Sequence, residues 1–153
     1  MIAMLRPHAW DLPLFLHVFG AVVLFGATLA TATLSLTSWR LPGVAALSRS
    51  TFWALLGGAI PAWIVMRVGA QWTYSKEKDS FFANGDPTWI GIGFIIADAG
   101  LLFLLITCGL AFWWKRSQKP VVGRFVSGLA LLYLVLLAVA WLAMSGKWGG
   151  LTG

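Results

Sequence analysis

The sequence has little charge and almost no cysteine. Of its 153 residues, 10% are charged and 59% are hydrophobic, whereas a soluble domain carries about 25% charged residues. This composition excludes an ordinary water-soluble domain, because the apolar surplus has to face lipid as well as a core. Cys108 is the only cysteine, which excludes an intrachain disulfide and a CxxC metal or redox pair. The redox compartment of the chain therefore cannot be read from its cysteines.

Enzyme signatures are also missing from the sequence. No Walker loop, HExxH, GxSxG or GxGxxG motif occurs along the chain. The formal net charge is +6, but no polar segment has a stripe of basic residues interleaved with stacking aromatics, so no nucleic-acid partner is predicted. These absences favour a non-enzymatic protein, and they identify no catalytic residue.

Long hydrophobic runs, in contrast, fill most of the chain. Four of them are bounded by tryptophan, and each has the roughly 20 apolar residues that a helix needs to cross a hydrocarbon core about 30 Å thick. They predict an all-α fold, a polytopic four-transmembrane-helix bundle that forms one domain over residues 1–153. The predicted spans are residues 12–39, 51–73, 88–114 and 121–145.

The distribution of charge predicts the orientation of these spans. Basic residues are concentrated between the first two runs and between the last two: Arg40, Arg49, Lys115, Arg116, Lys119 and Arg124. Acidic and basic residues nearly cancel between the second and third runs. The positive-inside rule therefore places both basic segments in the cytoplasm and both termini outside. We predict a multi-pass protein of the bacterial inner membrane.

Tryptophans mark the predicted ends of the spans, because an indole ring prefers the headgroup level of a bilayer. The predicted outer ends carry Trp10, Trp72, Trp89 and Trp148, and the inner ends carry Trp39, Trp53, Trp113 and Trp114. We expect Trp63 and Trp141, which lie deeper, to fill helix interfaces. Pro61 predicts a kink in the second span, and Asp86 is placed to cap the third helix.

Small residues at helical spacing predict where the helices pack, since helices in lipid associate through close contact. Such pairs occur in the first three runs: Gly20 with Ala27, Gly26 with Ala30, Gly58 with Ala54 and Ala62, and Gly93 with Ala97. We expect the seams of the first two runs to form contacts within the chain. The first run is also rich in Thr and Ser, which we expect to serve packing, with a water-lined path as the alternative.

Three ionisable side chains interrupt the runs, and a charge at the bilayer centre costs about 2.5–3.5 kcal/mol. At a rise of about 1.5 Å per residue, His17, Arg67 and Asp98 all fall in the outer half, and Gln71 lies one turn from Arg67. We expect Arg67 and Asp98 to form an ion pair inside the bundle, with His17 completing a polar pocket open to the outside. Alternatively, Arg67 extends to the headgroups and Asp98 is protonated or bonded to a hydroxyl of the first helix.

Residues 16–26, LHVFGAVVLFG, open with Leu16-His17 and continue through an apolar stretch to Gly26. This segment resembles the first helix of small bacterial membrane families of the copper-resistance CopD type and their uncharacterised relatives. The resemblance implies a helical membrane fold with His17 early in its first helix. It does not extend to copper transport, because the Trp-Gly-Gly step of those families is Phe25-Gly26-Ala27 here and their Met- and His-rich external residues are absent.

Three functional hypotheses follow. The leading one is a non-enzymatic accessory or assembly subunit of a larger membrane complex, whose partners are lipids and other membrane subunits. The second is a small homo-oligomeric transporter or channel, with His17, Arg67 and Asp98 lining an outward-facing pocket. The third is a haem- or redox-linked membrane enzyme, although paired imidazole ligands within the bundle are excluded because the other histidine, His8, precedes the first run. No cofactor or metal site can be named from the sequence.

Overall fold

The computed structural model describes residues 11–40, 43–77 and 88–147, and these ranges contain helices and no strand. The helices are α1 (Asp11–Thr37), α2 (Val44–Trp53), α3 (Ile60–Glu77), α4 (Thr88–Ser117) and α5 (Pro120–Leu142). A π-helical segment, Ala54–Ala59, joins α2 to α3, and a second, Ala143–Lys147, extends α5. The expected Asp86 cap and the rings of Trp10 and Trp148 lie outside the described residues.

Within the described residues, four helical stretches are long and apolar enough to cross a membrane, so the prediction of an all-α fold with four such helices is confirmed for this part of the chain. Their bounds are Asp11–Thr37, Val44–Lys76, Trp89–Ser117 and Pro120–Ser145. The second begins well before residue 51, directly after Gly43, whose φ of 103° is a left-handed conformation that suits glycine. Arg49 consequently lies on α2 rather than in a loop.

The helices form a ring in which α1 packs along α3 and α5, while α4 packs along α5 and α2. α4 contacts α2 closely but α3 only sparsely, so α3 and α4 diverge. At one end of the bundle, α1 and α4 finish and α2 and α5 start. We call this the basic end. The opposite end, where α1 starts and α3 finishes, is the far end. The backbones of α3 and α4 are therefore close only near the middle of the bundle, and large side chains connect them toward the far end.

This divergence starts at the π-helical segment Ala54–Ala59, which lies just before Pro61. Proline has no amide hydrogen for the carbonyl four residues earlier, and its ring crowds that carbonyl. Widening the preceding turn into a π-helix relieves both problems. The irregularity predicted at Pro61 is therefore a π-helical turn, after which α3 packs against α1 rather than α4.

Two glycines let the backbones of α1 and α3 meet directly. A Cβ added to Gly20 would meet the amide nitrogen of Met66 and lie 2.7 Å from its Cα. A Cβ added to Gly69 would meet the amide nitrogen of His17 and lie 2.8 Å from its Cα. Contacts this close are typical of helices that associate in lipid, where hydrophobic exclusion contributes little. The α1–α3 contact therefore depends on glycine at both positions.

Only some of the predicted pairs of small residues lie at contacts between helices. Ala27 packs against Gly58, at which an added Cβ would lie 3.2 Å from the Ala27 Cβ. Gly26 and Ala30 are both exposed, and an added Cβ on Gly26 would have no neighbour within 4 Å. The expectation of an intrachain contact is therefore wrong for the Gly26–Ala30 pair, because rotation of α1 points this side away from the other helices.

Buried hydroxyls fill the interior of the half nearest the basic end. They are Thr28, Thr31, Ser35, Ser48, Thr51, Thr107 and Ser127. Each donates a hydrogen bond of 2.6–3.1 Å to a carbonyl three or four residues earlier in its own helix. Hydroxyls bonded in this way are compact and have satisfied donors. This arrangement supports the packing role expected for them.

The tryptophans near the basic end divide into two groups. Three of them are exposed, as expected for rings at the headgroup level: Trp39, Trp53 and Trp113. Trp114 is fully buried. Its ring packs directly on Gly123, where an added Cβ would lie 2.8 Å from the ring atom Cε2. The assignment of Trp114 to the headgroup level is therefore wrong. The assignment of Trp141 to a helix interface is also wrong, because its side chain is 70% exposed.

Tyr133 allows a test of this packing. Its ring is buried and stacks on Phe103 with centroids 6.3 Å apart, but its hydroxyl has no hydrogen-bond partner among the described residues. An unsatisfied buried hydroxyl costs about 1–3 kcal/mol. We therefore expect Tyr133→Phe to leave the free energy of unfolding in detergent unchanged or raise it by about 1 kcal/mol. A clear loss of stability would instead show that the hydroxyl has a partner. Tyr133→Leu, which removes the ring, is the destabilising control.

Candidate functional site

Arg67 of α3 and Asp98 of α4 meet across the gap between these diverging helices. Arg67 Nε donates a hydrogen bond to Asp98 Oδ1 at 2.9 Å, and Arg67 Nη1 donates one to Gln71 Oε1 at 2.9 Å. The guanidinium carbon lies 4.7 Å from the centre of the Phe94 ring. A carboxylate, an amide oxygen and an aromatic face thus hold the guanidinium, and each is a favourable neighbour for a cation.

Helical spacing explains how the chain builds this arrangement. Gln71 follows Arg67 by four residues, so the two side chains lie on the same face of α3. Phe94 precedes Asp98 by four residues and shares its face of α4 for the same reason. Tyr74, on the next turn of α3, meets the Phe94 ring edge to face with centroids 5.6 Å apart. The aromatic pair is therefore a second link between the two helices.

Trp63 forms the end of the gap nearest the basic end. Its indole Nε1 donates a hydrogen bond of 2.8 Å to the carbonyl of Ala97, the neighbour of Asp98. Trp63 precedes Arg67 by four residues and thus extends the same face of α3. We call this set the α3–α4 bridge: Trp63, Arg67, Gln71, Tyr74, Phe94, Ala97 and Asp98.

The ion pair lies at the surface of the bundle. The Arg67 side chain is 24% exposed and that of Asp98 is 61% exposed. On the same helix, Ile95 and Leu102 are 70% and 62% exposed, so the Asp98 carboxylate projects from an otherwise apolar face. The pair was expected inside the bundle, and that position is wrong. The reason is that Asp98 lies on the same face of α4 as the exposed Ile95 and Leu102, three residues before it and four after it.

His17 does not join the α3–α4 bridge. Its Nδ1 lies 3.1 Å from the carbonyl oxygen of Met66 on α3, and since a carbonyl only accepts, Nδ1 carries the proton. This bond is next to the close contact at Gly69, so His17 fastens α1 to α3. The structure thus brings Arg67, Gln71 and Asp98 together and leaves His17 at a different interface.

Sequence reasoning missed the aromatic members of the bridge. Trp63 was expected at a helix interface and lies at one, but its place beside the charged pair was not predicted. Phe94 looked like an ordinary apolar residue of its run, and Tyr74 follows the predicted end of the second span. The available signal was spacing, because Trp63 and Tyr74 fall on the face of α3 that carries Arg67, and Phe94 falls on the face that carries Asp98. A search for aromatic residues one or two turns from each intramembrane charge would have found them.

No cluster of metal-ligating side chains emerges from the described parts of the chain. Within residues 11–40, 43–77 and 88–147, no group of three His, Cys, Asp or Glu side chains could hold a metal ion. His17 contacts Met66 through its backbone carbonyl.

Comparisons with known proteins provide no relative from which a function could be transferred. No family model, no curated protein and no solved structure matches the chain. The resemblance of residues 16–26 to the first helix of the CopD-type families therefore stays a prediction. The functional assignment depends on the geometry of the bundle alone.

Proposed function

We propose that this chain is a non-enzymatic, multi-pass membrane protein that assembles with other membrane subunits through the surface carrying the α3–α4 bridge. The observation that carries this proposal is the exposed carboxylate of Asp98, which projects from an apolar face. The four long apolar helices support membrane insertion. The basic end supports an orientation with that end in the cytoplasm and the bridge in the outer half of a bacterial inner membrane.

The depth of Asp98 makes its exposure costly in lipid. α4 starts at Thr88, so Asp98 lies about 15 Å along the helix from that start. An acidic residue near the middle of a membrane helix costs about 2.5–3.5 kcal/mol, and such residues almost always face a bundle interior or a water-filled cavity. Pairing with Arg67 offsets part of this cost, but lipid cannot bond the remaining carboxylate lone pairs. Contact with another membrane helix would cover them.

Site-specific photo-cross-linking in the native membrane, followed by mass spectrometry, tests the proposal. A cross-linker at Leu102, one turn from Asp98, should capture a neighbouring membrane protein. A cross-linker at Trp141 on α5 is the control, since this position is equally exposed to the surroundings of the bundle but lies on another helix. Gentle extraction and native mass spectrometry should then show the mass of the same subunit. Equal capture at both positions, together with a bare protomer, would remove support for the proposal.

The gap between α3 and α4 favours a second candidate, a small transporter or channel whose path is completed by oligomerisation. Arg67, Gln71 and Tyr74 of α3 lie on the side of α3 that faces α4, with Gln71 and Tyr74 nearer the far end than Arg67. Flux into liposomes by the purified protein alone, abolished by Arg67→Met, would support this function. Absence of flux together with a co-purifying subunit would support the first.

A further inference from the structure

Basic side chains surround the basic end of the bundle. They are Arg40 after α1, Arg49 on α2, Lys115 and Arg116 at the end of α4, Lys119 before α5, and Arg124 on α5. The two segments that contain them, residues 39–50 and 113–125, include no acidic residue. We call these six residues the basic collar. Its positive charge is not compensated by any carboxylate in these segments.

Contacts between helices hold the collar at one level. The Lys115 Nζ lies 4.7 Å from the centre of the Phe52 ring, which links α4 to α2. The Arg124 guanidinium carbon lies 5.6 Å from the Trp39 ring, which links α5 to α1. Both links join neighbouring helices of the ring. Two of the six cations, one on each side of the ring, are therefore held against a neighbouring helix.

The aromatic partners place the collar at the height of a headgroup. Trp39 is exposed beside Arg124, and an exposed indole prefers the boundary between headgroups and acyl chains. A guanidinium is attracted to the face of a ring while the N–H donors at its edge can still reach phosphate oxygens. Lys119 and Arg124 are both exposed and can reach such oxygens.

Apolar side chains adjoin the collar on the side of the bundle. Val121 and Phe125 of α5 are both exposed, and they flank Arg124 along the same helix. A ligand that contacts Arg124 through a phosphate can therefore also lay an apolar chain against Phe125. A free inorganic anion would use only the first of these features.

We propose that the basic collar is a binding surface for anionic phospholipids, with the phosphate and its negatively charged headgroup against the collar and the acyl chains along α5. Clusters of four to eight basic residues next to a membrane helix attract such lipids, at about 1 kcal/mol per residue, which is about fivefold in affinity. This proposal is independent of the α3–α4 bridge, which lies in the other half of the bundle.

Lipid retention by the full chain, measured with native mass spectrometry from mixed micelles, tests the proposal. The probes are phosphatidylglycerol and the net-neutral phosphatidylcholine. We expect tighter binding of phosphatidylglycerol, and we expect its affinity to fall about fivefold in Lys119→Gln and about 25-fold in Lys119→Gln/Arg124→Gln. The matched control is Lys76→Gln, which removes the same charge from an exposed lysine at the far end and should change the affinity less than about twofold.

Several outcomes would overturn the proposal. Equal affinity for the two lipids would remove the requirement for negative charge, and an equal effect of Lys76→Gln would show that only total charge matters. Displacement of phosphatidylglycerol by millimolar inorganic phosphate would identify a free-anion site instead of a lipid surface. Lys119 is an exposed residue of the short segment between α4 and α5, so Lys119→Gln keeps the test valid even if the double variant is poorly folded.

Discussion

Gly20→Ala and Gly69→Ala should each lower the free energy of unfolding by about 2 kcal/mol, and together they should separate α1 from α3. The added methyl group would meet backbone atoms of the opposite helix, and backbone cannot rotate away as a side chain can. Overpacking of this kind costs about 1–3 kcal/mol, and we expect the upper end. The better helix propensity of alanine returns at most about 1 kcal/mol, so the net effect is a loss.

Gly26→Ala is the matched control for this prediction. It lies on α1 like Gly20, but an added Cβ has no neighbour within 4 Å, so stability should stay unchanged or rise by up to about 1 kcal/mol. The measurement is the unfolding of purified protein in mixed micelles as the fraction of denaturing detergent rises. If the Gly20→Ala and Gly26→Ala variants unfold at the same fraction of denaturing detergent, the close backbone contact between α1 and α3 does not exist in the membrane protein.

The number and length of the helices could be predicted from the sequence, because crossing a hydrocarbon core is a matter of length and apolar composition. The start of α2 at Val44 could not, since this end of the helix carries Ser48 and Arg49 and lacks the apolar density of the rest. The burial of Trp114 was also missed. It depends on Gly123 of the next helix, and such a pairing of residues is not visible in hydropathy.

The ion pair shows where sequence reasoning stops. Its depth follows from the position of Arg67 and Asp98 along their helices, because each residue adds about 1.5 Å. The rotation of a helix about its own axis is a different quantity. A helix that is apolar on nearly every side has no distinct face to mark its interior, so the sequence could not tell that Asp98 points outward. That orientation depends on how α4 packs against α5 and α2.

Four variants of the ion pair should separate its structural role from its role in assembly. Arg67→Met and Asp98→Leu each leave one unpaired charge at membrane depth, and each should lower stability by about 2.5–3.5 kcal/mol. The double variant Arg67→Met/Asp98→Leu should recover most of that loss, because replacing a desolvated pair by apolar residues is often neutral or stabilising. The exchange Arg67→Asp/Asp98→Arg should recover part of it, since the pair can form with its charges reversed.

Assembly should respond differently from stability, and this difference is the decisive observation. The double apolar variant keeps the Trp63 hydrogen bond to Ala97 and should fold, but it loses the polar groups that a partner helix would contact. We therefore expect it to be stable and yet to lose co-purifying subunits and the Leu102 cross-link. If the double apolar variant loses stability as well, the ion pair chiefly stabilises the contact between α3 and α4. If it retains both stability and partner, the exposed carboxylate of Asp98 is not what the partner binds, and the proposed interface lies elsewhere on the bundle.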